Sequence, residues 1–359
     1  LSQLVACFCG NQDLAPVESS KKEVNEKHFK KAEFDMKEVL GQEQAKRAME
    51  IAAAGSHNLF MTGSPGSGKT MLARAFPGIL PPLSEPESLE VTKIYSTSGL
   101  IPPDGSVVKS RPFRAPHHTI SPVGLIGGGS RVKPGEVSLA HRGVLFLDEF
   151  NEFPRSALEA LRQPLEDYRI SVCRSRGKAI FPAQFILLAS ANPCPCGYLY
   201  HPGRDCICSA REIEKYRKRI SGPILDRIDM LVEVPVVDVK AFSAFDFQKA
   251  KNFLERSESI RQRVIRARNI QSKRFKEDSI YVNAEMKNSQ IKKHCFLLSR
   301  AKEILIDAAA KFNLSARSYY KTIKIARTIA DLDGCQNIED SHIAEALQYR
   351  HWGGDKNFA

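Results

Sequence analysis

The stretch Gly63-Ser64-Pro65-Gly66-Ser67-Gly68-Lys69-Thr70 carries more structural information than any other part of this chain. It satisfies G-x-x-x-x-G-K-[ST] in full. The short apolar run Asn58 to Thr62 before it and the helical spacing of Thr70 to Phe76 after it predict strand, loop, helix, the context this motif requires. The glycines let successive backbone N–H groups curl around a phosphate, and the following helix adds the positive end of its dipole. Lys69 is placed to reach terminal phosphates and Thr70 to coordinate Mg²⁺. Gly63, Ser64, Pro65, Gly66, Ser67, Gly68, Lys69 and Thr70 are therefore the expected cradle for a nucleoside triphosphate. A glycine turn with an incidental lysine is the alternative, and the flanking elements argue against it.

Working outward, a second apolar strand, Val144 to Leu147, ends in Asp148-Glu149, so two acids emerge at the carboxyl edge where open α/β sheets bind ligands. Asp148 is expected to share the magnesium with Thr70. Glu149 is expected to orient and deprotonate the water that attacks the γ-phosphate, a role suited to hydrolysis rather than to storing the nucleotide. Further alternation follows with a helix at Ser156 to Leu165, a hairpin at Arg169 to Pro182 and a strand at Phe185 to Ala191. Alternating strands and helices predict an α/β fold with a mainly parallel sheet. Upstream, Gly41 to Ala54 reads as a helix with Gly55 as its stop. Between the two sites, residues 81 to 142 break the alternation with Pro81-Pro82, Pro102-Pro103 and Gly127-Gly128-Gly129, and read as an insertion. After Val239 the strands stop, and Phe245 to Asn269, Arg300 to Phe312, Ala316 to Leu332 and Glu339 to Tyr349 show helical spacing, predicting a separate helical domain.

The chain has 359 residues, 42% of them hydrophobic and 26% charged, which suits a globular protein of two domains and excludes a wholly disordered or fibrous one. The longest apolar runs are strand-length, far short of a membrane span. A net charge of +12 points to a polyanion such as nucleic acid as a candidate partner, with solubility as the plainer reading. Nine cysteines, an odd number, and the lack of a secretory signal disfavour a disulfide framework and fit a cytoplasmic protein. Residues 1–37 read as a polar linker or tail, in which Cys7 and Cys9 are taken as free thiols, and residues 353–359 as a polar tail after the packing residue Trp352. The first residue is Leu1 rather than Met, so the natural N-terminal part is expected to be missing.

Longer patterns extend the argument: Gly41-Gln42-Glu43, Glu50 to Gly55, Arg111-Pro112-Phe113-Arg114-Ala115-Pro116-His117-His118, Gly143 to Glu149, Arg162 to Asp167, Asn192-Pro193-Cys194-Pro195-Cys196-Gly197 and Ser221 to Asp229. On these residues the chain resembles the magnesium chelatase-like AAA+ ATPases, and within them the ComM/YifB group, from about residue 34 to 352. The resemblance implies a P-loop AAA+ core over 38–239, a C-terminal all-helical lid domain over 240–352, and a homo-oligomeric ring, a hexamer, with nucleotide sites between subunits. It implies a helix-two insertion at about 83–143, a pre-sensor hairpin at about 168–185, and hydrolysis of ATP with water to ADP and phosphate. By motif, Asn192 is similar to the first sensor residue, Arg227 to the arginine finger given to a neighbour's site, and Arg317 to the second sensor, acting within or between subunits. An arginine suits the finger's role because its planar, permanent charge stabilises phosphoryl oxygens. The family's usual Leu-Pro after Asp-Glu is here Phe150-Asn151, which flanks the chemistry. The group's N-terminal domain, resembling a Lon protease-like or S5-like fold, lies outside this chain.

Cys194-Pro195-Cys196 and Cys206-Ile207-Cys208 are two C-x-C pairs nine residues apart. Four thiolates suit structural zinc stapling a loop, although a spacing of one residue is tighter than usual, and free thiols or a redox pair stay open. His201 and Asp205 are near but not required as ligands. Between Arg256 and Lys276 stand eight basic residues and one acid, with Ile260, Val264, Ala267 and Phe275 along one apolar face: a basic amphipathic helix, either a solvated face or a nucleic-acid contact. Arg174, Arg176 and Lys178 give the hairpin a basic tip able to reach phosphates of a threaded strand. His117 and His118 lack a partner at ligand spacing and are read as structural. The leading function is a DNA-remodelling ATPase motor acting on single-stranded or branched DNA, as in branch migration during natural transformation, the activity associated with the ComM group. The alternatives are a chelatase-type motor driving metal insertion into a porphyrin and a protein-remodelling ATPase. A nucleotide switch without hydrolysis is disfavoured because Lys69, Asp148, Glu149, Asn192 and Arg227 are all present.

Overall fold

Short apolar runs form strands in the computed structural model, which describes residues 32–101, 107–129, 132–174, 177–237 and 254–350. In chain order the strands are β1 (Leu59–Thr62), β2 (Phe113–Arg114), β3 (Gly127–Gly128), β4 (Lys133–Pro134), β5 (Val144–Leu147), β6 (Arg169–Arg174), β7 (Gly177–Pro182), β8 (Ile186–Ala191) and β9 (Met230–Glu233). Five of them make one parallel sheet in the order β2-β5-β8-β1-β9. β1, β5 and β8 are buried at every position, as a parallel sheet covered on both faces requires. Alternate residues serve two cores. Leu59, Met61, Val144, Phe146, Ile186 and Leu188 face the helix Glu43–Gly55 and the C-terminal helices, whereas Phe60, Leu145, Leu147, Leu187 and Ala189 pack with Leu125, Leu158 and Leu161.

The C-terminal region is helical, as expected: Ser257–Arg274, Asn288–His294, Ser299–Lys311, Ala316–Leu332 and Asp340–Gln348. Among the described residues it holds no strand, only an isolated bridge between Leu297 and Ile338. Ile260, Val264, Ala267 and Phe275 are buried on one face, matching the predicted apolar stripe. Part of the charge opposite them has partners within the fold. Arg263 pairs with Glu50 and Glu255, Arg274 with Asp331, and Arg268 is anchored on the Ala53 carbonyl and the Ser56 hydroxyl. Tertiary contacts, invisible to a count of charges, tie part of the basic run to the helix Glu43–Gly55 and to Asp331.

Several boundaries differ from expectation for physical reasons. Gly55 lies inside its helix, and the left-handed stop is Ser56 (φ 57°). Gly55 is small because His57 and Thr328 crowd it: an added Cβ would sit 2.2 Å from His57 Nε2 and 2.6 Å from Thr328 Oγ1. The helix expected over Ser156 to Leu165 is two short ones, Arg155–Ala160 and Arg162–Asp167, broken where Pro164 cannot donate a backbone bond. Of Phe245 to Asn269, residues 245–253 lie outside the described chain, and the helix begins at Ser257. Residues 83–143 are not simply inserted, because they supply the edge strand β2. Pro112 and Pro116 favour extended backbone, the Pro112 carbonyl accepts from Val144 N at 2.8 Å, and a Cβ on Gly143 would stand 2.0 Å from that oxygen. Of the stretch read as a linker, residues 32–37 are described, and Met36 is buried with its N–H on Ser257 Oγ at 2.8 Å. Cys7, Cys9, Trp352 and residues 353–359 lie outside the described residues.

Candidate functional site

β1, β8 and β5 lie side by side and parallel, so the residues that follow each meet at one edge of the sheet. β1 runs into the loop 63–68, β5 into Asp148-Glu149, and β8 into Asn192. The loop needs its glycines for two different reasons. Gly66 (φ +77°) and Gly68 (φ +95°) take left-handed backbone over open space, while a Cβ on Gly63 would meet the Val234 carbonyl at 2.2 Å. Gln42, from the upstream Gly-Gln-Glu pattern, braces the loop by donating to the Ser67 carbonyl at 3.1 Å.

Lys69 starts the helix Lys69–Ala75 and folds back into the loop, donating to the carbonyls of Gly63 at 2.7 Å and Ser64 at 2.9 Å and to Asn192 Oδ1 at 3.3 Å. Burial pulls its ammonium down to about 8, against the opposing pull of Asp148 and Glu149. Thr70 Oγ1 donates to Asp148 Oδ2 at 2.8 Å, and Ser190 Oγ and the Glu149 N–H hold the other carboxylate oxygen. Ser67 Oγ is buried with no hydrogen-bond partner. An orphan hydroxyl, a cation seated among carbonyls and open space above two glycines fit a bound phosphate chain. The paired oxygens of Thr70 and Asp148 fit the magnesium that accompanies it.

Glu149 (φ 53°) points its carboxylate outward, where His118 Nδ1 stands 3.2 Å from Oε2. Linear spacing does not show this contact and reads both histidines as structural; Pro116 and Pro122, which bound their loop, are the signal it offers. His117 Nδ1 is 3.0 Å from Thr119 Oγ1. Phe150 and Asn151 are anchors: Phe150 is fully buried edge-on to Phe60, and Asn151 donates to the Tyr216 carbonyl at 3.0 Å.

Arg227 and Arg317 come together elsewhere. Each puts a guanidinium on one oxygen of Glu166, Arg317 at 2.5 Å, and Arg227 also donates to the Pro223 carbonyl at 2.7 Å. Arg227 foremost, with Arg317 behind it, holds the Glu166 carboxyl below its usual range. The cavity they line, about 380 Å³, also presents Lys321, Lys324 and Asp229 but none of residues 63–70. Glu166 had no assigned role in the sequence, although it stands in one of the longer patterns.

The four cysteine sulfurs lie within 4.8 Å of one another, with Cys194 to Cys196 at 3.4 Å and Cys206 at 3.6 Å from each. A tetrahedron with Zn–S bonds of about 2.3 Å has edges of about 3.8 Å, so the set matches a tetrahedral soft-metal centre. Backbone N–H groups of Tyr198 and Ile207 pull the Cys196 thiol down to about 6. His201 Nδ1 instead accepts from Gly203 N at 3.0 Å. The hairpin β6–β7 is antiparallel as predicted, whereas Arg176 and the side chains of Arg174 and Lys178 lie outside the described residues.

Residues 35–242 match the family described as magnesium chelatase, subunit ChlI, and residues 254–350 match its C-terminal family. The chain belongs to the magnesium chelatase ChlI family. This ChlI-family chain is 43% identical over 319 residues to the competence protein ComM of Haemophilus influenzae, covering 88% of the chain and 60% of that protein. It is 42% identical over 321 residues to the uncharacterized protein YifB of Escherichia coli, covering 89% and 60%. The magnesium-chelatase 38 kDa subunit of Rhodobacter capsulatus is more distant, 27% identical over 179 residues, 45% of this chain and 50% of that subunit. The chain thus spans about three fifths of the length of its ComM and YifB relatives. Among the described residues no helix is long and apolar enough to cross a membrane.

Proposed function

We propose that this chain hydrolyses ATP in a homo-oligomeric ring, a hexamer, and uses the energy to remodel DNA. The convergence of Lys69, Thr70, Asp148, Glu149 and Asn192 at one sheet edge carries the ATPase reading. The residues 63–68 and Lys69 hold the phosphates, and Thr70 with Asp148 hold Mg²⁺, which when bound offsets phosphate charge. Glu149 takes the proton of the attacking water, and Asn192, tied to Lys69, orients that water. Arg227 and Arg317 sit as a pair on Glu166 in a cavity lined by none of residues 63–70. We therefore assign both arginines to a neighbouring subunit's γ-phosphate, with residues 38–239 as the ATPase core and the helices of 240–352 as a lid. The four cysteines hold zinc.

Support for DNA as the substrate is the net charge of +12, the basic hairpin tip and the likeness to a protein named for competence. A second reading, a chelatase-type motor, has the ChlI family match and the Rhodobacter relative in its favour. Steady-state ATP hydrolysis with and without single-stranded and branched DNA separates them. Turnover stimulated by DNA, lost in Lys69→Ala and rising more than linearly with protein concentration, is the expected result. Hydrolysis indifferent to DNA would sink the DNA reading and leave the ATPase.

A further inference from the structure

Residues 194–208 contain almost nothing that could fold them. Only Cys194 and Gly197 are buried, and Ile207 is 87% exposed. A loop that orders without burying apolar surface must be held by something else, and here the four converging sulfurs are the available device. The loop's position is as informative as its composition. Its first cysteine follows Asn192, the residue on which Lys69 rests, after a single proline. Gly197, in left-handed backbone (φ +83°), lies flat on Pro65 of the phosphate loop: a Cβ there would stand 2.6 Å from Pro65 Cδ and 3.7 Å from Asn192 Cγ. Tyr200 and Pro202 then face Gly63 and Ser64 across a cavity of about 270 Å³. The thiolate loop therefore touches the phosphate cradle from outside, at Pro65, and continues directly from the residue that meets it within, Asn192.

We propose that the ion held by Cys194, Cys196, Cys206 and Cys208 is a positioning element of the nucleotide site, so that metal occupancy and nucleotide affinity are coupled. This rests on the readings above that residues 63–70 bind ATP and that the thiolates bind zinc. With the metal in place, Gly197 backs Pro65 and the backbone after Asn192 is fixed. Without it, the segment loses the cross-link between its two cysteine pairs, and the loop 63–68 loses an outer wall. Coupling of this kind is reciprocal: whatever factor zinc contributes to nucleotide affinity, nucleotide contributes to zinc affinity.

The test uses the full 359-residue chain, zinc-loaded or stripped by a zinc-selective chelator under reducing conditions, with Mg²⁺ in excess. Affinity for a fluorescent ATP analogue is expected to fall at least tenfold on stripping, and zinc affinity, measured by chelator competition, to rise by the same factor when the analogue is present. Gly197→Ala, which keeps all four thiols but pushes the loop off Pro65, should retain zinc and lose nucleotide affinity; this variant decides the matter even if the stripped chain unfolds. Equal nucleotide affinity in zinc-loaded and stripped protein, or a Gly197→Ala chain that binds nucleotide normally, overturns the coupling. A chain that takes up no zinc overturns the metal reading beneath it, and a zinc-loaded chain that ignores the nucleotide overturns the ATP reading.

Discussion

His118 and Glu149 show how a single contact can change a residue's role. The imidazole stands 3.2 Å from the proposed general base, whose side chain is exposed. Fixing that carboxylate favours the geometry needed to take a proton from water. His118→Ala is expected to lower kcat about tenfold with KM for ATP little changed, since the phosphate cradle is untouched; equal losses in binding would contradict the assignment. Two other histidines belong to the fold. His57 Nε2 is 2.8 Å from Thr328 Oγ1 and the ring is held near 4 by burial, and His141, wedged between Glu90 and the Gln184 N–H, is held near 4 likewise. Both stay neutral in the native chain, while the unfolded chain protonates them near 6.5. Below that pH the unfolded state binds more protons, so stability falls as pH drops from about 6.5 toward 4. The unfolding free energy from urea titrations should decline between pH 7 and 5, by about 1–2 kcal/mol for each histidine, and His57→Asn should flatten the profile.

At the scale of elements, the hairpin β6–β7 and the helix Ser257–Arg274 both carry basic runs. On the helix, Arg263, Arg268 and Arg274 are each committed to partners in the rest of the fold. The hairpin is a two-stranded antiparallel ribbon, a shape suited to reaching a threaded strand. Replacing Arg174, Arg176 and Lys178 together by alanine should abolish DNA stimulation of ATP turnover and leave basal turnover within about twofold, read from DNA titrations at low salt, where phosphate contacts weigh most. Turnover that DNA still stimulates fully would move the DNA contact elsewhere. Glu85–Thr97, Ala210–Arg217 and Asn288–His294 have no counterpart among the expected helices, whereas Glu43–Gly55, Ser299–Lys311, Ala316–Leu332 and Asp340–Gln348 were legible to within a few residues, because 3.6-residue apolar spacing persists in them. The break at Leu161 was not, because Ala- and Leu-rich spacing hides the backbone cost of Pro164.

For the molecule as a whole, the proposed function requires a site completed by a second copy, because the arginine pair lies in a cavity lined by none of residues 63–70. A mixture of Lys69→Ala chains and Arg227→Ala chains, each inactive alone, should regain ATP hydrolysis, because some interfaces will join an intact cradle to an intact arginine. In an evenly mixed ring about one interface in four has both, assuming random assembly and hydrolysis governed by each interface independently. Activity that stays at the level of the separate mutants would mean that Arg227 acts within its own subunit. Glu166 is the natural companion in this experiment. It holds both arginines in the chain by itself, and its release of them onto a phosphate would link the lid helices to the neighbour's nucleotide.

From residue order alone came the phosphate loop, the acids after β5, the parallel α/β core, the helical C-terminal region and the four sulfurs, all carried by local spacing that a linear chain displays. Tertiary structure decided the rest. The pairing of β2 with β5, the seating of His118 on Glu149, the sharing of Glu166 by two arginines 90 residues apart (317 − 227) and the contact of Gly197 with Pro65 each join segments distant along the chain. Such contacts are fixed by how the two faces of one sheet are covered, and no periodicity in the sequence encodes them.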